Sequence, residues 1–496
     1  MHNWKNSIVY QIFPDRFKIG RNSNLSKNEE AGSFFLPGQT RVKWSTKPER
    51  SNDGSHQYLF WGGNLKGITE ELEYIKSLGT GILYLTPIFY ARSNHKYDTI
   101  NYFKIDPLFG TLEDFHLLCN KAHSLGIKVI LDGVFNHMGD ASEWFNKYGI
   151  FGKDTGAYND PESEFRDFFY FSGDTYRGWM NARTLPELNL ENSRLQEILF
   201  TGENSVIKYW LRQGADGWRL DCAFDLGYDI NRMIVREARK VKEDALIIGE
   251  VWNYPEGWNV HSDLDGLMNY YYRTVVFDLI RGQLSPAMAG KIIQKSVEDC
   301  GIDYLNKCWN ILSSHDVPRL SSEFKDGKDT QLAITLQFSL PGVPLIYYGE
   351  ELEMSGGIDP ENRGPMEWER LSENPSRLEF YRKLGVIWNE HRAIREGNFE
   401  IQPVSNDELL AFKRSTGIID ELMVLIFNFS DKEQHAHVYM NEGLLMNGTQ
   451  MVDIISNKKF NTFTGKLEVN IPGRSFLFLM PEITRANDNY SPYKRV

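Results

Sequence analysis

The sequence predicts an α/β fold, a (β/α)8 TIM barrel with a subdomain inserted after strand three and a C-terminal antiparallel β-sandwich domain. Three observations carry that prediction. Eight short apolar runs rich in Val, Ile, Leu and Tyr alternate with amphipathic stretches. Most of the runs are continuous rather than alternating, as expected of parallel strands covered on both faces. Beyond residue 395 the pattern changes to short alternating segments separated by Gly, Asn and Asp, which reads as an antiparallel sheet.

The eight runs are 8–13, 81–85, 128–133, 217–221, 246–250, 265–270, 308–313 and 344–349. Helix patterns fall at 66–78, 111–125, 193–213, 228–242, 286–298, 329–339 and 376–391. Strand and helix in this alternation give barrel order. Residues 1–137 and 191–394 are then the catalytic barrel. Residues 138–190 lack a long helix pattern and are rich in Gly, Asp, Phe and Tyr; an insertion of that length is usually functional. Residues 395–484 form the C-terminal domain from LLAFKRS, ELMVLIFNFS, HAHVYMN, KLEVNI and SFLFLM, and 485–496 read as a frayed tail.

Composition narrows the function classes. The 496 residues carry 55 Lys+Arg against 67 Asp+Glu, a net charge of −12. No basic run marks a nucleic-acid surface. No apolar run reaches the ~20 residues of a membrane span, and no apolar leader follows Met1, so a cytoplasmic protein without a membrane partner is expected. Cys119, Cys222, Cys300 and Cys308 are scattered without the close spacing of a disulfide framework or a zinc site. Cys222 and Cys308 lie in apolar segments and read as small buried hydrophobes.

Barrel active sites lie at the C-terminal ends of the strands. Strand three ends in Asp132-Gly-Val-Phe-Asn136-His137, strand four in Arg219-Leu-Asp221 and strand five in Glu250-Val-Trp252. Strand seven is followed by His315-Asp316, and the loop after strand two carries His95-Lys96-Tyr97-Asp98. Four carboxylates (Asp98, Asp221, Glu250, Asp316), three histidines and one arginine therefore converge on one rim. Taken singly, each has a structural role open to it: a strand-end Asp caps helices, Asp132 anchors a loop, and Arg219-Leu-Asp221 is an ion pair. Joint placement at strand ends favours chemistry. Converging carboxylates let one keep a proton and act as acid while a neighbouring cation holds another ionised as nucleophile. Two carboxyls about 5–5.5 Å apart make a retaining glycosidase.

DGVFNH (132–137), GWRLDCAFD (217–225), EVW (250–252) and SSHD (313–316) resemble, in order, the four motifs of the α-amylase family of glycoside hydrolases. The resemblance runs from Gln11-Ile-Phe-Pro-Asp-Arg-Phe17 through Pro365-Met366 into the β domain. HKYDTINYFKIDPLFG (95–110), LPELN (185–189) and DPENRGPMEW (359–368) are most similar to the neopullulanase, cyclomaltodextrinase and maltogenic amylase group. The resemblance implies Asp221 as nucleophile, Glu250 as acid/base and Asp316 as the residue that orients the sugar, with Arg219 holding Asp221 ionised. It places Tyr97, Asp98, His137 and His315 at the −1 sugar, Asp359 and Arg363 at the next sugar outward, and Trp252 on the leaving-group side. The implied partner is an oligosaccharide or polysaccharide α-glucan, cleaved at α-1,4 and in part α-1,6 bonds, with no cofactor required. An α-glucanotransferase or α-1,6-glucosidase on the same site, and a non-catalytic sugar-binding scaffold, are the alternatives. Monomer and homodimer both stay open.

Three departures from the group stand out. Its N-terminal β domain is expected to be absent, since the barrel pattern begins within the first dozen residues. Its fifth motif has Lys where this chain has Glu187, a reversed charge expected to alter the acceptor side. Its Asp-rich calcium loop here reads Ile19-Gly-Arg-Asn-Ser-Asn24, and Arg21 disfavours a cation. Asn64 and Asn136 remain as ligands elsewhere or, in the favoured reading, as loop anchors; the metal content is left unassigned.

Overall fold

A computed structural model describes residues 4–21, 36, 38–373, 375–483 and 491–493. Eight strands, β1 (Val9–Ile12), β2 (Ile82–Leu85), β3 (Lys128–Gly133), β4 (Gly217–Leu220), β5 (Leu246–Val251), β6 (Gly266–Asn269), β7 (Trp309–Ile311) and β8 (Val343–Tyr347), close a barrel. Every neighbour pair is parallel, and β1 lies between β2 and β8. Side chains including Val9, Tyr84, Ile130, Ile248, Met268 and Trp309 fill the barrel interior, and the alternate faces pack under the surrounding helices. Gly217 is needed where β4 runs beside β5, because a Cβ there would stand 2.0 Å from the Leu246 carbonyl oxygen.

Each expected strand run is a strand of the barrel. The helices follow the pattern less closely. Residues 193–213 are interrupted: helix Ser193–Gln196 passes into a π-turn, Glu197–Thr201, and a new helix starts at Val206. The stretch after β6, read as helix only from 286, contains a further helix, Tyr270–Ile280, capped by the Asn269 side chain accepting from Tyr272 N. Its sequence YYYRTVVFDLI is built of aromatic and β-branched residues, which lean toward strand; tertiary packing overrides that lean.

Residues 138–190 hold only short elements, the helix Gly156–Asn159, the 3-10 turns Arg166–Phe168 and Trp179–Asn181, and the strand pair Phe171–Ser172 and Thr175–Tyr176. An aromatic cluster of Phe145, Phe169, Phe171 and Tyr176 gives this stretch its own packing. The bridge Phe169–Leu188 closes the segment on itself, and the bridge His137–Glu187 with Leu188 N donating to Asn136 O binds it to the barrel rim.

The C-terminal strands β9 (Asn398–Ile401), β10 (Leu409–Ser415), β11 (Leu422–Asn428), β12 (Gln434–Tyr439), β13 (Gln450–Asp453), β14 (Lys459–Phe463), β15 (Lys466–Ile471) and β16 (Ser475–Pro481) form one sheet. Its order is β9-β10-β11-β16-β13-β14-β15-β12, antiparallel throughout. This is one continuous sheet where a sandwich of two was expected. The sheet folds over itself, so that Leu409, Val424 and Leu479 from one half pack with Val438, Leu467 and Val469 from the other. Arg414, fully buried, ties the sheet to the barrel by donating to Ser339 O, Gly397 O and Asn306 Oδ1. Of the expected frayed tail, Ser491–Tyr493 are among the described residues and Tyr493 is buried in that core, its hydroxyl 2.6 Å from Thr449 Oγ1. The rest of the tail lies outside the described residues.

Candidate active site

At the C-terminal rim of the barrel the strand ends deliver one connected network. Arg219, on β4, is fully buried and points inward. Its Nη1 donates to Asp132 Oδ1 at 2.7 Å and to Asp221 Oδ1 at 2.8 Å, and its Nη2 pairs with Glu250 Oε2 at 2.9 Å. Asp132 also accepts from the hydroxyls of Tyr84 (2.6 Å) and Tyr97 (2.9 Å). Three donors hold it below the rim as an anchor, so the strand-end Asp with a structural role is Asp132. Asp221 follows directly, its backbone N donating to Gly133 O across the β3–β4 pair, and Cys222 then turns into the left-handed region at φ 48°. That turn aims Cys222 N at Glu250 Oε2 (2.9 Å) and Cys222 Sγ at Asp221 Oδ2 (3.3 Å). Cys222 is thus a wall residue between two carboxylates, not the core hydrophobe expected of it. A carboxylate oxygen of Asp221 and one of Glu250 lie within 4.8 Å of each other.

The electrostatics follow from burial. Desolvation raises the Asp221 carboxyl well above its ordinary value, with Glu250 and Asp132 adding to the rise and Arg219 opposing it. Burial also raises Asp316, against Arg363 and Arg219, and raises Asp132 against the same Arg219. His315 is pulled well down by burial and then by Arg219 and Arg363, so its ring is neutral. Gln11 Nε2 donates to His315 Nδ1 at 2.7 Å, which puts the ring proton on Nε2. Nε2 in turn meets Tyr97 Oη at 2.5 Å and Asp316 Oδ2 at 3.0 Å. Tyr97 and His315 lie parallel, 5.5 Å apart at 8°. Gln11 and Tyr84, on β1 and β2, are therefore positioning residues that sequence reading missed; their place at strand ends was the available signal.

Above this floor lies a cavity of about 620 Å³, within the range of small-ligand sites. Asp221, Glu250, Asp316, Tyr97, His137, Trp252, Asp359 and Arg363 all line it. His137 stacks on Trp179 (5.0 Å, 22°) and burial draws its ring down to about 4. Arg363 reaches Asp359 at 2.9 Å, donates Nε to His315 O at 2.9 Å and stands 3.7 Å from Asp316. Trp252 donates to Glu250 Oε1 (3.1 Å) and lies flat on Tyr270, 3.8 Å between rings.

Of the expected residues, Arg219 and His315 lie buried beneath the cavity and do not line it, and Asp98 and Glu187 stand elsewhere. Asp98 turns back into its own loop, accepting from Ser93 N and Oγ; it is absent from the cavity lining, and burial pushes its carboxyl up to about 6. Glu187 is paired with Arg177 at 2.7 Å and is also absent from the lining.

The lining also includes His56, Gln57, Trp179, Met180, Phe224 and Asn253, none of which was singled out from sequence. They sit on loops whose approach to the rim is set by long-range contacts, such as Asn94 Nδ2 donating to His56 O and Trp179 Nε1 to Asp225 Oδ2. Asp221, Cys222 and Glu250 have the spacing of metal ligands. The Arg219 guanidinium already supplies the positive charge there. Asn64 Oδ1 accepts from Gly67 N and Gly20 N, capping helix Leu65–Glu70 and anchoring the loop at Gly20. Asn22–Asn24 of the candidate calcium loop lie outside the described residues.

A closed parallel barrel whose strand ends bring an Arg-braced Asp next to a Glu, with a second Asp beside a neutral His, defines a carbohydrate-cleaving class of site. The α-amylase catalytic-domain family model matches residues 11–394, and the chain belongs to that family of glycoside hydrolases. It is 31% identical to neopullulanase 2 of Thermoactinomyces vulgaris over 94% of this chain and 76% of that protein. It is also 31% identical to an amylopullulanase of Thermoanaerobacterium saccharolyticum, of which it spans only 42% of the length. Among solved structures, the cyclic α-maltosyl-(1→6)-maltose hydrolase of Arthrobacter globiformis superposes with a TM-score of 0.77 at 28% identity, covering 96% of this chain and 98% of that one. No helix among the described residues is long and apolar enough to cross a membrane.

Proposed function

We propose that this chain is a retaining α-glucan hydrolase acting on α-1,4 bonds of maltooligosaccharides, with α-1,6 bonds of short maltosyl substrates also accepted. The observation that carries this reading is the Asp221–Glu250 pair within 4.8 Å, both braced by Arg219. Nearest oxygens this close fit the short carboxyl spacing of retaining enzymes better than the roughly 6.5–9.5 Å of inverting ones, which favours direct attack. Asp221 attacks the anomeric carbon while Glu250 gives its proton to the leaving oxygen; the glycosyl–enzyme is then opened by water, with Glu250 taking the water's proton. Asp316, held by His315 and Arg363, accepts hydrogen bonds from the bound sugar's hydroxyls. His137 and Tyr97 supply neutral polar edges around it, with His315 behind Tyr97 and Asp316. Trp252 offers its free face to the leaving sugar. The end-to-end match with the cyclic maltosyl-maltose hydrolase supports the inclusion of α-1,6-linked maltosyl substrates. A cytoplasmic location is part of the same proposal.

Incubation with maltotriose, β-cyclodextrin, pullulan and isomaltose separately, with products separated by chromatography over time, tests it. Glucose and maltose from maltotriose, and neither from Asp221→Asn under the same conditions, is the expected result. Products longer than the substrate as the main outcome would replace the hydrolase by a transferase. No change in any of the four from folded protein would restore the scaffold reading.

A further inference from the structure

The outer face of the C-terminal sheet carries a second group of ligating side chains. His435 and His437 are two apart on β12, and β12 pairs antiparallel with β15 so that His437 faces Glu468 and His435 faces Asn470. Alternate residues of a strand point to opposite faces. Ala436 and Val438 are buried in the sheet's core, which turns both histidines outward on the same side. One ligand atom from each of His435, His437 and Glu468 lies within 4.8 Å of the others. His435 Nε2 stands 3.5 Å from Glu468 Oε1, and the two imidazoles meet edge to face with centroids 5.5 Å apart.

A second observation bears on the ring orientation. His435 Nδ1 is 2.9 Å from Asn470 Oδ1. An amide oxygen only accepts, so the ring proton sits on Nδ1 and the Nε2 lone pair is left toward the cluster. Metal-bound histidines are held in this way by an outer partner on the other nitrogen.

We propose that His435, His437 and Glu468 bind a divalent transition-metal ion of the Zn²⁺ type, with Asn470 orienting His435. Two imidazoles and one carboxylate suit zinc and leave a fourth position for water. A hard cation such as Ca²⁺ wants six to eight oxygens, which this set does not supply. None of the four residues lines the catalytic cavity. The bound ion links β12 to β15 across their ladder, adding a fixed bond at the strand that ends the sheet.

Zinc chloride titrated by calorimetry into the chelator-stripped full chain tests this. The wild type is expected to show a saturable site that disappears in His435→Ala/His437→Ala and is at least tenfold weaker in Glu468→Gln. Asn470→Ala is expected to keep the stoichiometry and lose about tenfold in affinity, the usual cost of an outer partner. A parallel titration of Cys222→Ser accounts for zinc held at the Asp221–Cys222–Glu250 group. Circular dichroism of each metal-free variant establishes that it is folded. Absence of a saturable site in the wild type, or a site unchanged in both the double histidine variant and Glu468→Gln, overturns the proposal.

Discussion

Arg219, itself closed to water, is one cation among three carboxylates, the buried Asp132 and the cavity-lining Asp221 and Glu250. A single guanidinium balances one of the three, and burial of the surplus charge favours retention of a proton within the group. This is the electrostatic basis for a nucleophile and an acid side by side. It also assigns a cost: removing the arginine would strand buried carboxylates, an effect of about 3–5 kcal/mol in comparable sites. The two catalytic candidates separate by chemistry. Glu250→Gln keeps shape and loses the proton, so cleavage of maltotriose is expected to fall by about 10²–10⁴. Cleavage of α-maltosyl fluoride, whose leaving group needs no proton, is expected to fall far less. Steady-state rates on both substrates check this, and equal losses would remove Glu250 from the acid role. At this scale much was legible: Asp221, Glu250, Asp316, His137 and Trp252 all sit where their strand ends put them. The local partners of Asp98 and Glu187 were not, because a sequence position says nothing about which neighbour takes the charge. Here Ser93 and Arg177 take it.

Among the elements, buried ion pairs fix the loops that shape the rim. Lys96, between His95 and Tyr97, is fully buried at φ 63°, donating to Asp106 Oδ2 at 2.6 Å and Ala91 O at 3.2 Å beneath the ring of Phe60. Lys96→Met leaves Asp106 buried without its partner, and a loss of about 3–5 kcal/mol in urea unfolding is expected. A loss under about 1 kcal/mol would show that the pair contributes little. Asp216, just before β4, works similarly at the barrel's other end. Burial raises its carboxyl, but hydrogen bonds from His123, Lys242 and Val129 N outweigh that and bring it down to about 2. A carboxyl lowered by folding stabilises the chain above its unfolded value near 3.9 and loses that stability as pH falls toward 2. The depression corresponds to about 2 kcal/mol. Asp216→Asn is therefore expected to lower Tm at pH 7, with the deficit against wild type shrinking below pH 4; a deficit independent of pH would contradict the electrostatic account. The eight barrel strands were readable because continuous apolar runs have few other uses. Helix Tyr270–Ile280 was hidden by strand-like composition. Strands β9, β13 and β14 were hidden by short, partly polar sequences such as QMVD.

For the whole molecule, the barrel is a platform and the loops above it are walls. The 51–58 loop brings His56 and Gln57 from one stretch of chain, and the inserted segment brings Trp179 and Met180 from another. Neither wall could be placed from sequence, since closure depends on contacts such as Trp179 Nε1 to Asp225, 46 residues apart. The strand-end acids of the floor, by contrast, followed from the barrel rule, whereas Gln11 and Tyr84 beneath them did not. Its central consequence is the close Asp221–Glu250 pair, on which the proposed retaining mechanism rests. Proton NMR of maltotriose hydrolysis in its first minutes, before mutarotation, reads the anomer that leaves the enzyme. The α-anomer formed first, and no hydrolysis by folded Asp221→Asn, is the result expected of a covalent glycosyl–Asp221. The β-anomer formed first, or turnover surviving in Asp221→Asn, would contradict it.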